Sequence, residues 1–309
     1  MQIVFGSSSK HLAKNIAKFG GCKVLATEIS KFSDGEFKIE IHGDLEKKVA
    51  IIQSTCDPVN DNIIELLLLI DTVKRAGAEE IIAVVPYLGY SRSDRIINKD
   101  GIHSPLSASV VASLLKSAGV SKLITLDLHS KHIENFAKYS LVNVELASIF
   151  SDYFHKMDVD QNEYVFIAPD EGSIHRTLNL SLLFNKKDII TMNKTRVCNQ
   201  DGTIKCIVEN NWLSNSSYYQ HKHCIIVDDI IDSAETLCKT AQILNDSGAL
   251  KVTACASHAV LSGVSIERLM NSPIDKIIVS NSIYHSSLPS KFIVIDISKN
   301  LAKLLSNQI

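Results

Sequence analysis

Two adjacent acids followed by a hydroxyl-rich turn make residues 225–237 the part of the sequence that most clearly predicts chemistry. An apolar run ends at Val227, and Asp228 and Asp229 follow it directly. Carboxylates at the carboxyl end of a strand accept hydrogen bonds from sugar hydroxyls or hold a hydrated Mg²⁺ ion. A strand followed by an ordinary capped helix is the alternative interpretation. Charge directly after a buried run is costly without a ligand, which favours the sugar site.

The turn after the acids has the residue types of a phosphate site. Backbone N–H groups, with the hydroxyls of Ser233 and Thr236, would face a phosphate at the amino end of a helix predicted from Thr236 to Leu244. The predicted phosphate-binding residues are Asp232, Ser233, Ala234, Glu235 and Thr236.

The stretch resembles the phosphoribosyl pyrophosphate loop of the phosphoribosyltransferase fold, Asp-Asp-hydrophobic-hydrophobic-Asp-Thr-Ala-Gly-Thr. That resemblance implies that Asp228 and Asp229 bind ribose and that the turn binds its 5-phosphate. Ser233 stands at the Thr position and Glu235 at the Gly position. A Gly there permits positive φ, whereas Glu adds a Cβ atom and a negative charge beside a dianion. We therefore expect Glu235 to weaken ribose 5-phosphate binding.

Composition indicates a globular protein large enough for two domains. Of its 309 residues, 45% are hydrophobic and 21% are charged. A net charge of −2 gives no long-range attraction to nucleic acid or to an anionic membrane, so neither is expected as a partner. Seven scattered cysteines without a Cys-x-x-Cys pair are typical of reduced thiols, and we expect a cytoplasmic location.

Short β-branched runs alternate with amphipathic stretches along the chain, which predicts an α/β fold with parallel sheets covered by helices. The predicted strands are Val49–Gln53, Ile81–Pro86, Lys122–Leu126, Tyr164–Ala168, Cys224–Val227, Val252–Ala256, Ile277–Val279 and Phe292–Ile295. Helices are predicted at Asn62–Arg75 and Leu106–Ala118, each ending near a glycine. We expect two similar phosphoribosyltransferase-like domains, residues 1–147 and 148–309, with the last helix packing back on the first domain.

A second acid-bearing loop, Asp127-Leu-His129, follows the strand that begins at Lys122. An Asp and a His at a strand end suit a metal–nucleotide site, although a lone histidine there is more often structural. Residues 125–136 are similar to the Asp-Leu-His-x-x-x-Ile-x-x-Phe segment of ribose-phosphate pyrophosphokinases. This resemblance implies that His129 binds Mg²⁺–ATP and that Asp127 lies beside the metal.

The resemblance extends through the amino-terminal half. Residues 31–36 match a turn that holds the adenine of ATP across a subunit interface, although alone they indicate only an Asp-Gly hairpin turn. Residues 85–95 match a Pro-Tyr-x-x-Tyr-x-Arg-Gln-Asp-Arg segment, with Ser93 in place of Gln, although two arginines beside an Asp are often only solvated ion pairs. The ATP-binding residues that the resemblance implies are Phe32, Asp34, Gly35, Glu36, Arg92, Ser93, Arg95 and His129.

Two further segments of the carboxyl-terminal half resemble this family. Residues 167–176 match a Pro-Asp-x-Gly-Gly segment in which Asp170 would contact ribose and metal, and Ser173 replaces the second Gly. Lys194 and Arg196 match the Lys-x-Arg of a catalytic arm, and Arg196 would also bind ribose 5-phosphate. The loop at 96–105 is longer and less basic than the usual form, which leaves regulation by ADP or phosphate open.

The resemblance implies an enzyme that transfers pyrophosphate from ATP to the C1 hydroxyl of ribose 5-phosphate, with Mg²⁺ as cofactor. A homo-oligomer built from dimers, with a hexamer as one candidate, is the expected assembly. A non-catalytic regulatory relative is the alternative, raised by Glu235, Ser93 and Ser173. A phosphoribosyltransferase that consumes the product ranks last, because it would not need the amino-terminal segments.

Overall fold

A computed structural model describes residues 1–96, 98–99, 101–157, 163–198, 204–209 and 219–307, with only the backbone described for 98–99, 102, 193–198 and 204–209. The chain divides into two compact units. The first unit comprises Met1–Val144, Asn281–Tyr284 and Asp296–Ile309. The second comprises Glu145–Ser280 and His285–Ile295.

The first unit is built on a six-stranded sheet in the order β10-β9-β6-β5-β1-β2, and every pairing in it is parallel. Its strands are β1 (Gln2–Phe5), β2 (Lys23–Val24), β5 (Lys48–Ile52), β6 (Glu80–Val85), β9 (Lys122–Leu126) and β10 (Ser140–Val144). The central strands are apolar along almost their whole length, because both faces of a helix-covered parallel sheet are buried.

The α-helices in the described part of the first unit are α1 (Lys10–Gly20), α2 (Val59–Arg75), α3 (Ser107–Ala118) and α8 (Ser298–Ser306). The predicted glycine ends of α2 and α3 are confirmed, since Gly77 and Gly119 have φ of 100° and 122°. Helix α8 packs against α1. The separate segment 281–284 is held within this unit by a hydrogen bond from Ser54 to the carbonyl of Ser282 and by stacking of Tyr284 on His11 at 4.5 Å.

Two antiparallel pairs also belong to the first unit. Strands β3 (Ala26–Lys31) and β4 (Phe37–His42) form a hairpin, and Lys31 makes an ion pair with Asp61 of α2. The short strands β7 (Asn98–Lys99) and β8 (Ile102–His103) pair inside the loop that precedes α3.

The second unit repeats the plan with a parallel six-stranded sheet in the order β12-β11-β15-β16-β17-β18. Its strands are β11 (Tyr164–Ala168), β12 (Ile190–Thr191), β15 (His223–Ile231), β16 (Lys251–Ala259), β17 (Lys276–Ser280) and β18 (Phe292–Ile295). Its helices are α4 (Ala147–Phe154), α5 (Ile174–Leu182), α6 (Glu235–Asp246) and α7 (Ser265–Met270). An antiparallel pair, β13 (Asn193–Cys198) with β14 (Ile204–Glu209), completes the described part.

The predicted class of two similar α/β units with parallel sheets is confirmed. Among the described residues, no helix combines the length and the apolar character that crossing a membrane requires.

Candidate active site

Asp228 and Asp229 lie within strand β15, which continues to Ile231. The sequence prediction ended this strand at Val227 and was wrong on that point. The neighbouring strand β16 is equally long, and its ladder still pairs Asp228 with Ala256 and Ile231 with Ala259. Backbone pairing therefore carries the strand past the two acids whatever their side chains.

The carboxylate of Asp228 receives two hydrogen bonds within the second unit. Its Oδ1 accepts from the backbone N–H of Asp229 at 2.9 Å and from the hydroxyl of Ser173 at 2.8 Å. Burial raises the pKa of Asp228 well above its usual range, and the charge of Asp229 raises it further. A polar or cationic ligand is the natural partner for such a crowded pair of acids.

Arg176 of α5 supplies a positive charge to this pair, which sequence reasoning missed. Its Nη1 lies 3.4 Å from Asp229 Oδ1, with side-chain exposures of 17% and 6%. The guanidinium also opposes the rise in the pKa of Asp228. Its Nε is buried and has no hydrogen-bond acceptor among the residues that the structure describes. The sequence spacing between Asp170 and Arg176 gave no signal of this contact, because only the fold brings α5 against β15.

Asp170 joins the same cluster through Ser173. The Ser173 hydroxyl lies 3.1 Å from Asp170 Oδ1 and 2.8 Å from Asp228 Oδ1, so a single side chain contacts both carboxylates. Three carboxylates, Asp170, Asp228 and Asp229, therefore meet at this edge of the second sheet.

The predicted phosphate loop leads into α6 with one strained residue. Ala234 has φ of 59° and caps the helix, and Glu235 is the first helical residue. The left-handed conformation that glycine favours falls at Ala234, one residue before Glu235, so the observed backbone does not require glycine at position 235. A glutamate at the first position of a helix is instead a favoured arrangement.

Two cations that the sequence analysis did not single out contact this loop. Lys239 Nζ lies 2.5 Å from Glu235 Oε1, one helical turn away, so the charge of Glu235 is paired. Arg268 of α7 donates a hydrogen bond to the backbone carbonyl of Ser233. The four-residue spacing of Glu235 and Lys239 was a readable signal for the first of these contacts. Asp232 and Thr236 lie two residues before and after Ala234.

Lys194 and Arg196 lie in β13, where their backbones pair with Val208 and Cys206 of β14. Their side chains fall outside the described part of the chain. The strand places both residues, which are two apart, on the same face of the antiparallel pair.

In the first unit, Asp94 fixes the arginine loop, residues 92–95, which carries Arg92 and Arg95. It is buried, and its Oδ1 accepts from Arg95 Nε at 3.0 Å. Burial acts to raise the pKa of Asp94, but hydrogen bonds from Arg95 and Ser130 outweigh it and hold the pKa below its usual value. Ser93 donates to the carbonyl of Pro105 at 3.1 Å, so its hydroxyl holds the loop before α3. Arg92 is exposed on this loop.

The loop after β9 carries His129, and this loop contacts Asp94 of the arginine loop through Ser130. Asp127 has φ of 34° and turns the chain, and the N–H of Leu128 donates to Asn143 Oδ1 at 3.0 Å. Ser130 accepts from the N–H of His132 at 3.1 Å while it contacts Asp94. One hydroxyl therefore links the arginine loop to the loop that carries the histidine.

The predicted adenine-binding residues form the exposed turn between β3 and β4. Phe32 N–H donates to the carbonyl of Glu36 at 2.8 Å, and Glu36 N–H donates to Asp34 Oδ1 at 3.1 Å. Gly35 takes φ of 94°. Phe32 is 54% exposed, so an aromatic ring stands free at the tip of the turn. An exposed ring of this kind suits stacking on a base.

Comparison with known proteins connects these features. Residues 1–119 match the model of the N-terminal domain of ribose phosphate pyrophosphokinase, and residues 218–307 match the phosphoribosyl synthetase-associated domain. The chain is 35% identical to a ribose-phosphate pyrophosphokinase of Thermosipho africanus over 99% of its length and 93% of the relative. It is 38% identical to ribose-phosphate pyrophosphokinase 1 of Listeria innocua over 90% of its length and 83% of the relative. The crystal structure of phosphoribosylpyrophosphate synthetase from Mycobacterium smegmatis matches with a TM-score of 0.86 at 25% identity, covering 98% of this chain and 97% of the other.

Proposed function

Since the chain belongs to the ribose-phosphate pyrophosphokinase family, we propose that the residues assembled above bind its two substrates and carry its reaction. The enzyme transfers pyrophosphate from ATP to the C1 hydroxyl of ribose 5-phosphate and releases AMP. The observation that carries the site assignment is the acid pair of β15 followed directly by a hydroxyl-rich loop at the amino end of α6.

The second unit binds ribose 5-phosphate. Asp228 and Asp229 accept hydrogen bonds from the sugar hydroxyls. Because the two acids lie close together, binding of a ligand that donates hydrogen bonds is favoured over contact with water alone. The 5-phosphate lies on the loop at 232–236, where backbone N–H groups and the dipole of α6 attract a dianion. Arg268 fixes this loop through the carbonyl of Ser233.

The first unit binds ATP. Arg92 and Arg95 are exposed and bind phosphate oxygens, with the Arg95 guanidinium oriented by buried Asp94. Phe32 at the tip of the β3–β4 turn stacks on adenine, with Asp34, Gly35 and Glu36 shaping the turn. Ser93, also assigned to the ATP site, donates to the carbonyl of Pro105 and so holds the neighbouring loop.

The donor set fits Mg²⁺. Carboxylate oxygens predominate among the clustered groups, and Mg²⁺ in nucleotide enzymes is held by one or two protein ligands together with water and phosphate. Asp170, Asp228 and Asp229 lie close together, but within the described ranges no three side chains are arranged to hold a metal ion by themselves. Within the first unit we assign His129 and Asp127 to the binding of Mg²⁺–ATP, and within the second unit we assign Asp170 to a Mg²⁺ contact at the ribose site. When bound, Mg²⁺ neutralises charge on the phosphate oxygens.

Lys194 and Arg196 act during the transfer itself. The attacking C1 oxygen approaches the β-phosphorus, and negative charge grows on the transferred group and on the leaving AMP oxygen. A lysine and an arginine on one face of β13 stabilise that charge. Arg196 also contributes to binding ribose 5-phosphate.

The non-catalytic alternative is not favoured, because the relatives over almost the whole chain are pyrophosphokinases. We further propose a homo-oligomer, since the exposed Phe32 turn is the segment expected to complete a neighbouring ATP site. A cytoplasmic location is supported by the five cysteines whose side chains are described, all of which are free thiols.

The decisive assay follows AMP and phosphoribosyl pyrophosphate after incubation with ATP, Mg²⁺ and ribose 5-phosphate. We expect equal amounts of both products, and a loss of at least a hundredfold in kcat for Lys194→Ala, the size typical for removing one transition-state contact. Lys187→Ala, an exposed lysine before β12, is the matched control and should retain activity. Equal activity of the two variants would refute the role of Lys194.

A further inference from the structure

We propose that Ser173 is a positioning residue that fixes the carboxylates of Asp170 and Asp228 relative to each other and so prepares the ribose 5-phosphate site. This inference rests on the proposed function of the second unit. Ser173 occupies a position where the family pattern has glycine. Its hydroxyl contact with the two acids therefore distinguishes this chain from relatives that follow that pattern.

The geometry places one hydroxyl between two acids. Ser173 is 1% exposed, and its Oγ lies 3.1 Å from Asp170 Oδ1 and 2.8 Å from Asp228 Oδ1. A hydroxyl has a single proton to donate, so the two carboxylates share it. This contact therefore restrains both side chains relative to each other.

The serine itself is held rigidly. Its N–H donates to the carbonyl of Asp170 at 3.2 Å, and its own carbonyl accepts from Thr177 Oγ1 at 2.8 Å. With φ of −92° and ψ of −6°, the residue has a conformation open to any side chain. The backbone therefore does not need glycine here, and the hydroxyl is an addition rather than a strained replacement.

Without this hydroxyl, the carboxyl groups of Asp170 and Asp228 would share no donor. Their side chains would then be less firmly oriented relative to each other, so the substrate would have to order them when it binds. A site that is already assembled binds more tightly, because less ordering accompanies binding. Ser173 thus supplies in the free enzyme the link that a glycine cannot provide.

The test compares Ser173→Ala and Ser173→Gly with Ser181→Ala. Ser181 is also a buried serine of α5, but its hydroxyl donates only to the helix carbonyl of Leu178 at 3.0 Å. Ribose 5-phosphate binding is measured by calorimetry without ATP, and thermal unfolding is recorded for each variant. Steady-state assays give KM for ribose 5-phosphate and for ATP separately.

We expect both Ser173 variants to bind ribose 5-phosphate roughly tenfold more weakly, with KM for the sugar raised by a similar factor and KM for ATP changed less than twofold. Ser181→Ala should leave sugar binding unchanged even where its unfolding temperature falls. Sugar affinity within twofold of wild type in both folded Ser173 variants would overturn the inference. So would equal losses for ATP and sugar. Wild-type protein that neither binds ribose 5-phosphate nor forms product would instead refute the proposed function.

Discussion

The pairing of Glu235 with Lys239 predicts that neither charge alone sets the affinity for ribose 5-phosphate. Glu235 begins α6, where the 5-phosphate is proposed to bind, and the lysine cancels its charge from one turn away. Removing one partner exposes the other to the phosphate. The perturbations are therefore Lys239→Met, Glu235→Gln and the double variant, none of which replaces a residue with positive backbone φ.

The magnitude follows from Coulomb's law. Both side chains are about one third exposed, which calls for a dielectric constant close to that of water. A unit charge about 8 Å from a dianion then contributes about 1 kcal/mol, which is roughly a fivefold change in affinity. Lys239→Met should weaken sugar binding by that factor, Glu235→Gln should strengthen it by the same factor, and the double variant should return close to wild type.

The assay is KM and calorimetric affinity for ribose 5-phosphate at about 20 mM and about 500 mM salt, because screening should remove most of the effect at the higher concentration. Glu235→Gly is the informative comparison. If it strengthens binding while Glu235→Gln does not, the glutamate acts through its size, and the electrostatic reasoning is refuted. A double variant as weak as Lys239→Met would refute the compensation.

Two further predictions concern stability. Ala234→Gly should stabilise the protein by about 1 kcal/mol, measured by urea unfolding, because Ala234 has φ of 59° where glycine has no Cβ penalty; an unchanged or lower midpoint would contradict this strain. Burial, assisted by the charge of Lys251, lowers the pKa of His223 to about 4. Between about pH 4 and 6.5, His223 is therefore protonated in the unfolded chain but neutral in the native protein. Stability should therefore fall by about 2 kcal/mol from pH 7.5 to pH 5, and His223→Gln, which cannot titrate, should flatten that dependence; the same slope in both proteins would assign it to other groups.

The alternation of apolar runs and amphipathic stretches predicted parallel sheets and most of their strands, because burial on two faces leaves a direct mark in sequence. It did not predict the edge strands β2, β10 and β12, which are short or only partly buried. Strand ends were harder to predict. Strand β15 continues through two charged residues since its ladder depends on the length of β16 and not on its own composition. A pattern based on hydrophobicity stops at the first charge.

The site residues also fall into two groups, those that local sequence identifies and those that only the packing brings into the site. Motif spacing identified the acids of β15, but the roles of Ser173 and Arg176 depend on the packing of α5 on that strand, which no local pattern reports. At Glu235 the family pattern located an unusual residue but could not report its surroundings. The backbone conformation that glycine would favour belongs to Ala234, and the charge is paired by Lys239.

The make-up of the first unit has a consequence for protein synthesis. Its sheet is complete in sequence by Val144, yet α8, which packs against α1, is translated only after the whole second unit. A nascent chain therefore carries α1 with its α8-binding surface uncovered while more than half of the protein is still being made. The packing of α8 on α1 can therefore form only after residue 306 has been translated, so the first unit cannot be completed before the second has been synthesised.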